Sequence, residues 1–125
     1  MTDSKLLDSS AWLSYIYAEN SEIKKIVDSK EVLFTSVLSI FEVKKKLLKD
    51  KEPFPAIQKS LDFIKKKSLI LPVTPGISES AAEISLEHSL SAMDSLIYAS
   101  ALKNNAGFFT LDNDFRGLKN VVVLK

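Results

Sequence analysis

The sequence predicts a three-layer α/β/α fold in which helices cover both faces of a parallel sheet of about five strands. Short apolar runs alternate with longer segments of helical periodicity along the whole chain. The short runs are continuously apolar, as is typical of strands that are buried on both faces. A chain of 125 residues with 46% hydrophobic residues is long enough for one such core, so we expect residues 1–125 to form a single domain.

Five runs have the composition of strands. They are rich in valine, isoleucine, leucine and phenylalanine, which pack well on a pleated surface. Turn-forming residues separate them from the next helical segments, such as Pro75-Gly76, which is expected to be a turn after the third run. The predicted strands span residues 5–8, 32–35, 69–73, 108–111 and 121–124.

Six segments have apolar residues at helical spacing. Pro53 and Pro55 separate the third of them from the fourth, and Asn105 and Gly107 close the sixth in the manner of a C-cap. Serines whose hydroxyl can accept a hydrogen bond from a free backbone N–H stand at four of the starts: Ser9 or Ser10, Ser21, Ser36 and Ser91. The predicted helices span residues 10–18, 21–27, 37–49, 56–67, 77–90 and 92–104.

The composition excludes several kinds of site and location. Cysteine is absent, which excludes disulfides, thiolate metal sites and cysteine nucleophiles. No apolar run is long enough to span a bilayer, and Asp3 and Lys5 interrupt any signal-peptide pattern, so we expect a cytoplasmic protein. The net charge is only +1, so overall charge gives no argument for a nucleic-acid partner.

Carboxylates follow two of the predicted strands. Asp8 ends the first strand, and Asp112 and Asp114 come after the fourth. In an open parallel sheet, ligands bind just beyond the carboxyl ends of the strands, so these acids are candidates for chemistry. The local alternative is that Asp8 and Asp112 only cap the helices or turns that come after them.

Asp94 is the one charge in an otherwise uncharged segment, 93–102, which predicts a helix packed on more than one side. A carboxylate buried there costs several kcal/mol unless it is paired or bound to a metal. The local alternative is a capping box with Ser91. The two interpretations are compatible, because a first-turn carboxylate still faces the rim of the sheet.

Glu42 carries no such signal. Helical spacing places it opposite the apolar residues of its helix, so periodicity alone predicts a surface glutamate. Lys45, Lys46 and Lys49 share its side; they are either a solvated face or point charges that attract phosphate. The predicted apolar arc consists of Val37, Ile40, Phe41, Val43, Leu47 and Leu48.

In their order and context these acids make the sequence resemble the PIN domain, particularly the VapC-type toxin ribonucleases of prokaryotic toxin–antitoxin pairs. The resemblance extends over nearly the whole chain, and four segments in the right order carry it together. They are Leu-Asp-Ser-Ser-Ala-Trp-Leu at 7–13, the segment 36–42, Ala-Met-Asp-Ser-Leu-Ile-Tyr-Ala at 92–99 and Thr-Leu-Asp-Asn-Asp-Phe at 110–115.

The resemblance implies the strand order 3-2-1-4-5, which brings Asp8 beside Asp112. It implies that Asp8, Glu42, Asp94 and Asp112 are catalytic and hold a divalent cation, with Asp114 as an accessory ligand. An all-oxygen site without cysteine or clustered histidine suits Mg²⁺ or Mn²⁺ rather than zinc. Three hydroxyls are expected to form hydrogen bonds to a ligand carboxylate or a water without contacting the metal themselves: Ser9, Ser10 and Thr110.

The implied function is that of a metal-dependent endoribonuclease, the toxin of a type II toxin–antitoxin system, which cleaves RNA with a metal-activated water. The implied partners are RNA, an antitoxin on another chain and a second copy of the toxin, with no membrane. Lys45, Lys46 and Lys49 would then flank the metal and attract the RNA backbone. The first helix carries more apolar residues than one face easily buries, so part of it is either an interface or ordinary core: Trp12, Leu13, Ile16 and Tyr17.

Two alternatives have the same alternating pattern. A response-regulator receiver needs an acidic pair after strand one and an aspartate at the end of strand three, but here serines follow Asp8 and the third strand ends Val73-Thr74-Pro75. A catalytically inactive PIN-like scaffold, acting as an RNA-binding or interaction module, would keep the fold without the reaction. Metal-dependent RNA cleavage that is lost on Asp94→Asn separates that scaffold from an enzyme.

Overall fold

The computed structural model describes residues 4–124 and confirms the predicted α/β architecture. The strands are β1 (Lys5–Leu7), β2 (Leu33–Ser36), β3 (Leu69–Leu71), β4 (Gly107–Thr110) and β5 (Val121–Val123). The helices are α1 (Ser9–Ile16), α2 (Ser21–Val27), α3 (Val37–Lys49), α4 (Phe54–Lys67), α5 (Pro75–His88) and α6 (Ala92–Lys103). A short 3₁₀ turn, Asn113–Phe115, follows β4.

The five strands are all parallel and form one sheet in the order β3-β2-β1-β4-β5, as predicted. β1 lies at the centre between β2 and β4, and Leu7 is in register with Phe109. β1 and β4 therefore end side by side at the carboxyl edge of the sheet. Asp8 is one residue beyond the end of β1, and Thr110 is the last residue of β4.

Neighbouring residues of the central strands point to opposite faces of the sheet, and each face has its own core. Leu7 and Phe109 pack on one face with Trp12, which is fully buried and donates from Nε1 to Thr35 Oγ1 at 2.9 Å. Leu6 and Phe108 pack on the other. Trp12 is thus ordinary core. The three residues grouped with it in the sequence are partly buried against the same cluster: Leu13, Ile16 and Tyr17.

Two predictions about how helices begin are wrong: the capping residue of α2 and the separate turn before α5. Asn20, not Ser21, caps α2, because its Oδ1 accepts from the N–H groups of Glu22 and Ile23 at 2.9 and 3.0 Å. Pro75-Gly76 is not a separate turn. It forms the first turn of α5, where proline is tolerated because the N–H that it lacks would have no partner within the helix, and Thr74 caps that helix.

The remaining corrections concern ends of elements. β3 ends at Leu71, two residues before its predicted end, and α4 begins at Phe54, two residues before its predicted start. Gly107 belongs to β4 rather than to a C-cap. Asn105 alone takes the left-handed conformation that closes α6, with a φ of 55°.

Half of the apolar arc predicted for α3 faces outward. Val43 and Leu47 are buried, whereas Val37, Phe41 and Leu48 are 43%, 59% and 51% exposed. The reason is that α3 packs beside α1 and α4 and buries only a narrow stripe of residues four apart. No helix among residues 4–124 is long and apolar enough to cross a membrane.

Candidate metal centre

Three carboxylates converge where the segment that follows β4 meets the start of α6. Asp94, Asp112 and Asp114 each offer an oxygen, and these oxygens all lie within 4.8 Å of one another. Asp94 and Asp112 are partly buried, and Asp114 is exposed. A group of oxygen ligands this close together fits a hard divalent cation such as Mg²⁺ or Mn²⁺.

Asp8 lies beside this group and is almost completely buried, with 6% of its surface exposed. It is the N-cap of α1, because its Oδ1 accepts from the N–H of Ala11 at 3.0 Å and from the Ser10 hydroxyl at 2.7 Å. Its Oδ2 accepts from the Thr110 hydroxyl at 2.6 Å. Both interpretations of Asp8 thus apply together, since it caps a helix and also stands at the edge where the acids meet.

Two hydroxyls connect the end of β1 to the end of β4. Besides its bond to Asp8, Thr110 Oγ1 accepts from the backbone N–H of Asp112 at 2.9 Å. Ser10 Oγ donates to Asp8 and accepts from the N–H of Leu111 at 3.0 Å. This network fixes the backbone that carries Asp112 relative to the carboxylate of Asp8.

The pKa values of two acids show the electrostatic cost of the arrangement. Burial raises the pKa of Asp8 to about 6, against the lowering effect of the hydrogen bonds from Thr110, Ser10 and Ala11, and the charge of Asp112 raises it further. Burial also raises the pKa of Asp94, with further increases from the charges of Asp112, Glu42 and Asp114 and a decrease from the hydroxyl of Ser91. The acids therefore repel one another, and a bound cation would reverse that repulsion.

Asp94 and Asp112 also have the local roles that the sequence left open. Ser91 caps α6 by accepting from the N–H of Asp94 at 3.2 Å, which is one half of the predicted capping box. Asp112 caps the 3₁₀ turn by accepting from the N–H of Asp114 at 2.9 Å. The first contact fixes the backbone of Asp94, and the second orients the carboxylate of Asp112. Oxygens remain available to a ligand, because a carboxylate has about four acceptor positions.

Glu42 does not lie on the solvated face that periodicity predicted. It is partly buried, and the hydroxyl of Ser9 donates to its Oε1 at 2.8 Å. A second bond of the same sequence separation, from Tyr17 OH to Asp50 Oδ2 at 2.7 Å, shows that α1 and α3 run side by side in the same direction. This parallel packing turns Glu42 toward the start of α1, where Asp8 is.

The structure brings the five acids to one edge but does not make them equivalent. Asp94, Asp112 and Asp114 form the compact group, whereas Asp8 and Glu42 border it and interact with it through charge. Ser9, Ser10 and Thr110 each bind one of the bordering acids directly.

The lysines of α3 differ in their surroundings. Lys46 pairs with Asp50 at 3.1 Å, Lys45 lies over the ring of Phe41 with its Nζ 5.8 Å from the centroid, and Lys49 is exposed. A helix rises 1.5 Å per residue, so Lys46 and Lys49 lie roughly 6 and 10 Å further along α3 than Glu42, away from the carboxyl edge. Of the three lysines, Lys45 has the backbone position nearest to Glu42 along the helix axis.

One polar contact at this edge was not predicted from the sequence. The guanidinium of Arg116 donates from Nε and Nη2 to Asn113 Oδ1, at 3.2 and 2.8 Å. The sequence signal that could have predicted this contact is that Asn113 and Arg116, the only arginine of the chain, stand three positions apart across an expected turn.

A cavity of about 660 Å³ lies elsewhere on the molecule, between the end of α1, the start of α2 and α4. Tyr15 and Phe63 form one wall, with their rings stacked at a centroid distance of 5.4 Å, and Lys24 and Lys59 are at its edge. The cavity is an open groove, and none of the site acids lines it, so it is separate from the candidate metal centre.

Comparison with protein families gives one match, a family model described as the PIN domain, over residues 5–121. A search of the curated proteins finds no match.

Several solved structures have the same fold. The chain is similar to a toxin–antitoxin complex from Klebsiella pneumoniae, with a TM-score of 0.80 and 20% identity over 95% of this chain and 96% of that one. It is similar to VapC20 of Mycobacterium tuberculosis, described as a sarcin-ricin loop cleaving toxin, with a TM-score of 0.78 and 19% identity over 97% and 99% of the two chains. A third is VapBC2 from Rickettsia felis bound to a DNA fragment from its promoter, with a TM-score of 0.77, 16% identity and 96% coverage of both chains.

Proposed function

The chain belongs to the PIN-domain family, and on that premise we propose that it is a metal-dependent endoribonuclease and the toxin of a type II toxin–antitoxin pair. The observation that carries the proposal is the group formed by Asp94, Asp112 and Asp114, whose oxygens lie within 4.8 Å of one another at the carboxyl edge of a parallel sheet. Such an edge is where α/β proteins bind their ligands.

We propose Asp8, Glu42, Asp94 and Asp112 as the catalytic, metal-holding residues, with Asp114 as a further ligand. The cation is Mg²⁺ or Mn²⁺, because every available donor is a carboxylate oxygen. The raised pKa values of Asp8 and Asp94 support this assignment, since burial of the two carboxylates, with a smaller contribution from the neighbouring acids, makes their charged forms costly without a cation. A cation held by these residues would supply activation of a water for attack on phosphorus and stabilisation of the negative charge that develops in the reaction.

The protein's own contribution is to fix the acids before the cation arrives. Thr110 and Ser10 hold the Asp8 carboxylate with two hydrogen bonds, and each also binds a backbone N–H of the segment that leads to Asp112. Ser9 orients Glu42. Ligands whose orientation is fixed by hydrogen bonds to neighbouring groups bind metals more tightly than ligands that rotate freely.

RNA is the proposed substrate. Lys45, Lys46 and Lys49 give α3 a basic side next to Glu42, and lysine attracts phosphate without reading bases. The place of action would then be the cytoplasm, where RNA is available.

The proposed partners are an antitoxin on another chain and a second copy of the toxin. Two of the similar structures are complexes of this kind, a toxin–antitoxin complex and VapBC2 on promoter DNA, which supports the first. The groove beside the Tyr15–Phe63 stack supports it as well, because it offers exposed apolar surface on a separate face from the acids. Light scattering at micromolar protein tests the second, and a monomer at all concentrations would contradict it.

Cleavage of RNA tests the enzyme proposal. Purified protein is incubated with total RNA and, separately, with single-stranded DNA, in Mg²⁺, in Mn²⁺ and in EDTA. We expect defined RNA fragments in either metal and none in EDTA. Intact RNA under every condition would favour the catalytically inactive scaffold.

A further inference from the structure

The turn that follows β4 is a rigid platform. Asp112 accepts from the N–H of Asp114 through its side chain at 2.9 Å and from the N–H of Phe115 through its carbonyl at 3.3 Å. The carbonyl of Asn113 accepts from the N–H of Arg116 at 3.0 Å. Three hydrogen bonds thus fix five consecutive residues.

Phe115 anchors this platform in the core. It is 1% exposed, and its ring lies 4.6 Å from that of Phe108 and 6.1 Å from that of Tyr98. A buried aromatic ring in contact with two others resists displacement. The residues on either side of Phe115 therefore hold a constant position relative to the sheet.

Arg116 leaves the platform as an exposed cation with a fixed orientation. Its Nε and Nη2 both donate to Asn113 Oδ1, which holds the guanidinium against the turn. A guanidinium has five N–H donors, so three are not used by this contact. Although Asp112 and Asp114 leave the same turn, no carboxylate among residues 4–124 forms an ion pair with Arg116.

We propose that Arg116 is a phosphate-binding residue that grips the RNA backbone at the rim of the metal centre. The proposal rests on the ribonuclease function proposed above. The planar guanidinium matches two phosphate oxygens at once, which a lysine ammonium does not. Because Asn113 holds the side chain in place, binding costs less conformational entropy than it would for a free arginine.

The platform gives this contact a geometric purpose. Asp112 and Asp114, two of the acids proposed to hold the metal ion, project from the same five residues as the guanidinium proposed to hold a phosphate, so the spacing between them is set by the turn. A phosphodiester bound by Arg116 is thereby placed at a defined distance from the carboxylates of Asp112 and Asp114. Arg116 is accordingly a positioning residue that sets the register of the strand, and the carboxylates remain the catalytic group.

Binding and cleavage measured on matched variants test the proposal. Binding of a fluorescein-labelled, mixed-sequence single-stranded RNA is followed by fluorescence anisotropy across a salt series, in the Asp94→Asn background so that the RNA stays intact. Cleavage of the same RNA is followed with Asp94 in place. The variants are Arg116→Gln, Arg116→Lys, Asn113→Ala and the control Lys66→Gln, which removes an exposed positive charge near the end of α4, at the opposite edge of the sheet.

We expect Arg116→Gln to weaken binding and raise KM by at least about tenfold, as the loss of charge-assisted hydrogen bonds to one phosphate does, with kcat within about twofold of wild type. Its salt slope should fall by about 0.7, the contribution of one phosphate contact on a single strand. Arg116→Lys should keep the salt slope but recover only part of the affinity, and Asn113→Ala should weaken binding by a smaller factor at an unchanged slope. Lys66→Gln should match wild type.

Arg116→Gln and Lys66→Gln with equal affinities would overturn the proposal, and so would the absence of RNA binding when Arg116 is intact. Failure of the ribonuclease function is a different result. In that case the wild-type protein binds RNA but does not cleave it in Mg²⁺ or Mn²⁺. The binding measurements on the Arg116 variants still show whether Arg116 contacts a phosphate.

Discussion

The hydroxyl of Thr110 lies 2.6 Å from the carboxylate of Asp8, which is 102 positions away in the chain. The same oxygen accepts from the N–H of Asp112 at 2.9 Å. One buried side chain therefore connects the acid that follows β1 to the acid that follows β4. Since β1 and β4 are neighbours only in the folded sheet, the site exists only when these two strands are paired.

Thr110→Val keeps the shape of the side chain and removes this link. At pH 8, where Asp8 is ionised, we expect the free energy of unfolding in EDTA to fall by about 2 kcal/mol, because a buried carboxylate loses a hydrogen-bond donor. At pH 5, where Asp8 is mostly protonated, the loss should be about 1 kcal/mol. Urea unfolding at both pH values measures the difference.

Thr74→Val is the matched control for this variant. It removes the hydroxyl that caps α5 and should cost about 1 kcal/mol at both pH values, because no titrating group is involved. If the loss for Thr110→Val is equally independent of pH, the hydroxyl does not act through the charge of Asp8.

The raised pKa of Asp8 predicts how stability depends on pH. The folded value of about 6 lies above the ordinary 3.8, so the folded protein binds this proton more tightly than the unfolded chain does. Ionisation of Asp8 therefore lowers the free energy of unfolding, by roughly 3 kcal/mol in all. This loss occurs as pH rises from about 4 to about 6, and it is not regained at higher pH. Without metal, the stability of wild type should fall relative to that of Asp8→Asn across this window. A constant difference between the two would contradict the raised pKa.

A divalent cation should stabilise the folded protein, because a ligand that binds only the native state raises the melting temperature. Mg²⁺ or Mn²⁺ at millimolar concentration should raise the Tm of wild type by several degrees, and Asp94→Asn should abolish most of that shift. In EDTA the same variant is expected to be at least as stable as wild type, since it removes one of several like charges.

The control for the metal effect is Asp62→Asn, which removes an exposed acid from α4. It should retain the full response to the metal. Equal shifts in wild type and Asp94→Asn would rule out the site.

The lysines of α3 and Glu42 should have opposite effects on kinetics. Replacing Lys45, Lys46 and Lys49 with glutamine should weaken RNA binding and lower the salt slope by about 0.7 for each phosphate that is no longer bound, with turnover at saturating RNA nearly unchanged. Glu42→Gln should reduce turnover more than binding. Cleavage kinetics across a salt series measure both. If the lysine variant matches wild type throughout, these residues are a solvated face, and if Glu42→Gln is silent, Glu42 takes no part in the reaction.

Much of the fold was predictable because parallel strands have a simple sequence signature. Continuous apolar runs mark the strands, and the acid that closes the first of them marks the edge where ligands bind. The strand order itself followed from the resemblance to a family. Nothing local in the sequence states that β1 pairs with β4, about a hundred residues later in the chain.

Glu42 shows where sequence reasoning needed more than periodicity. Its neighbours in the helix made it a surface residue, and the same reasoning put Phe41 in the core, although Phe41 is 59% exposed. Helical spacing gives the relative angles of side chains, but it does not give the direction from which neighbouring helices approach. Here that direction is set by α1, through the contact between Ser9 and Glu42.

The Arg116–Asn113 contact and the capping by Asn20 and Thr74 were missed for a different reason. Each depends on whether a particular polar side chain reaches a free N–H or an acceptor, and that depends on backbone angles that composition does not specify.

The most direct test of the account is the cleavage rate of RNA in Mg²⁺ by wild type, Asp94→Asn and Asp62→Asn, purified in parallel. We expect wild type and Asp62→Asn to cleave at equal rates, and Asp94→Asn to be slower by at least about a hundredfold, because it removes a carboxylate from the centre of the proposed metal site. Equal rates for Asp94→Asn and wild type would contradict the account, since the three converging carboxylates would then have no part in the reaction.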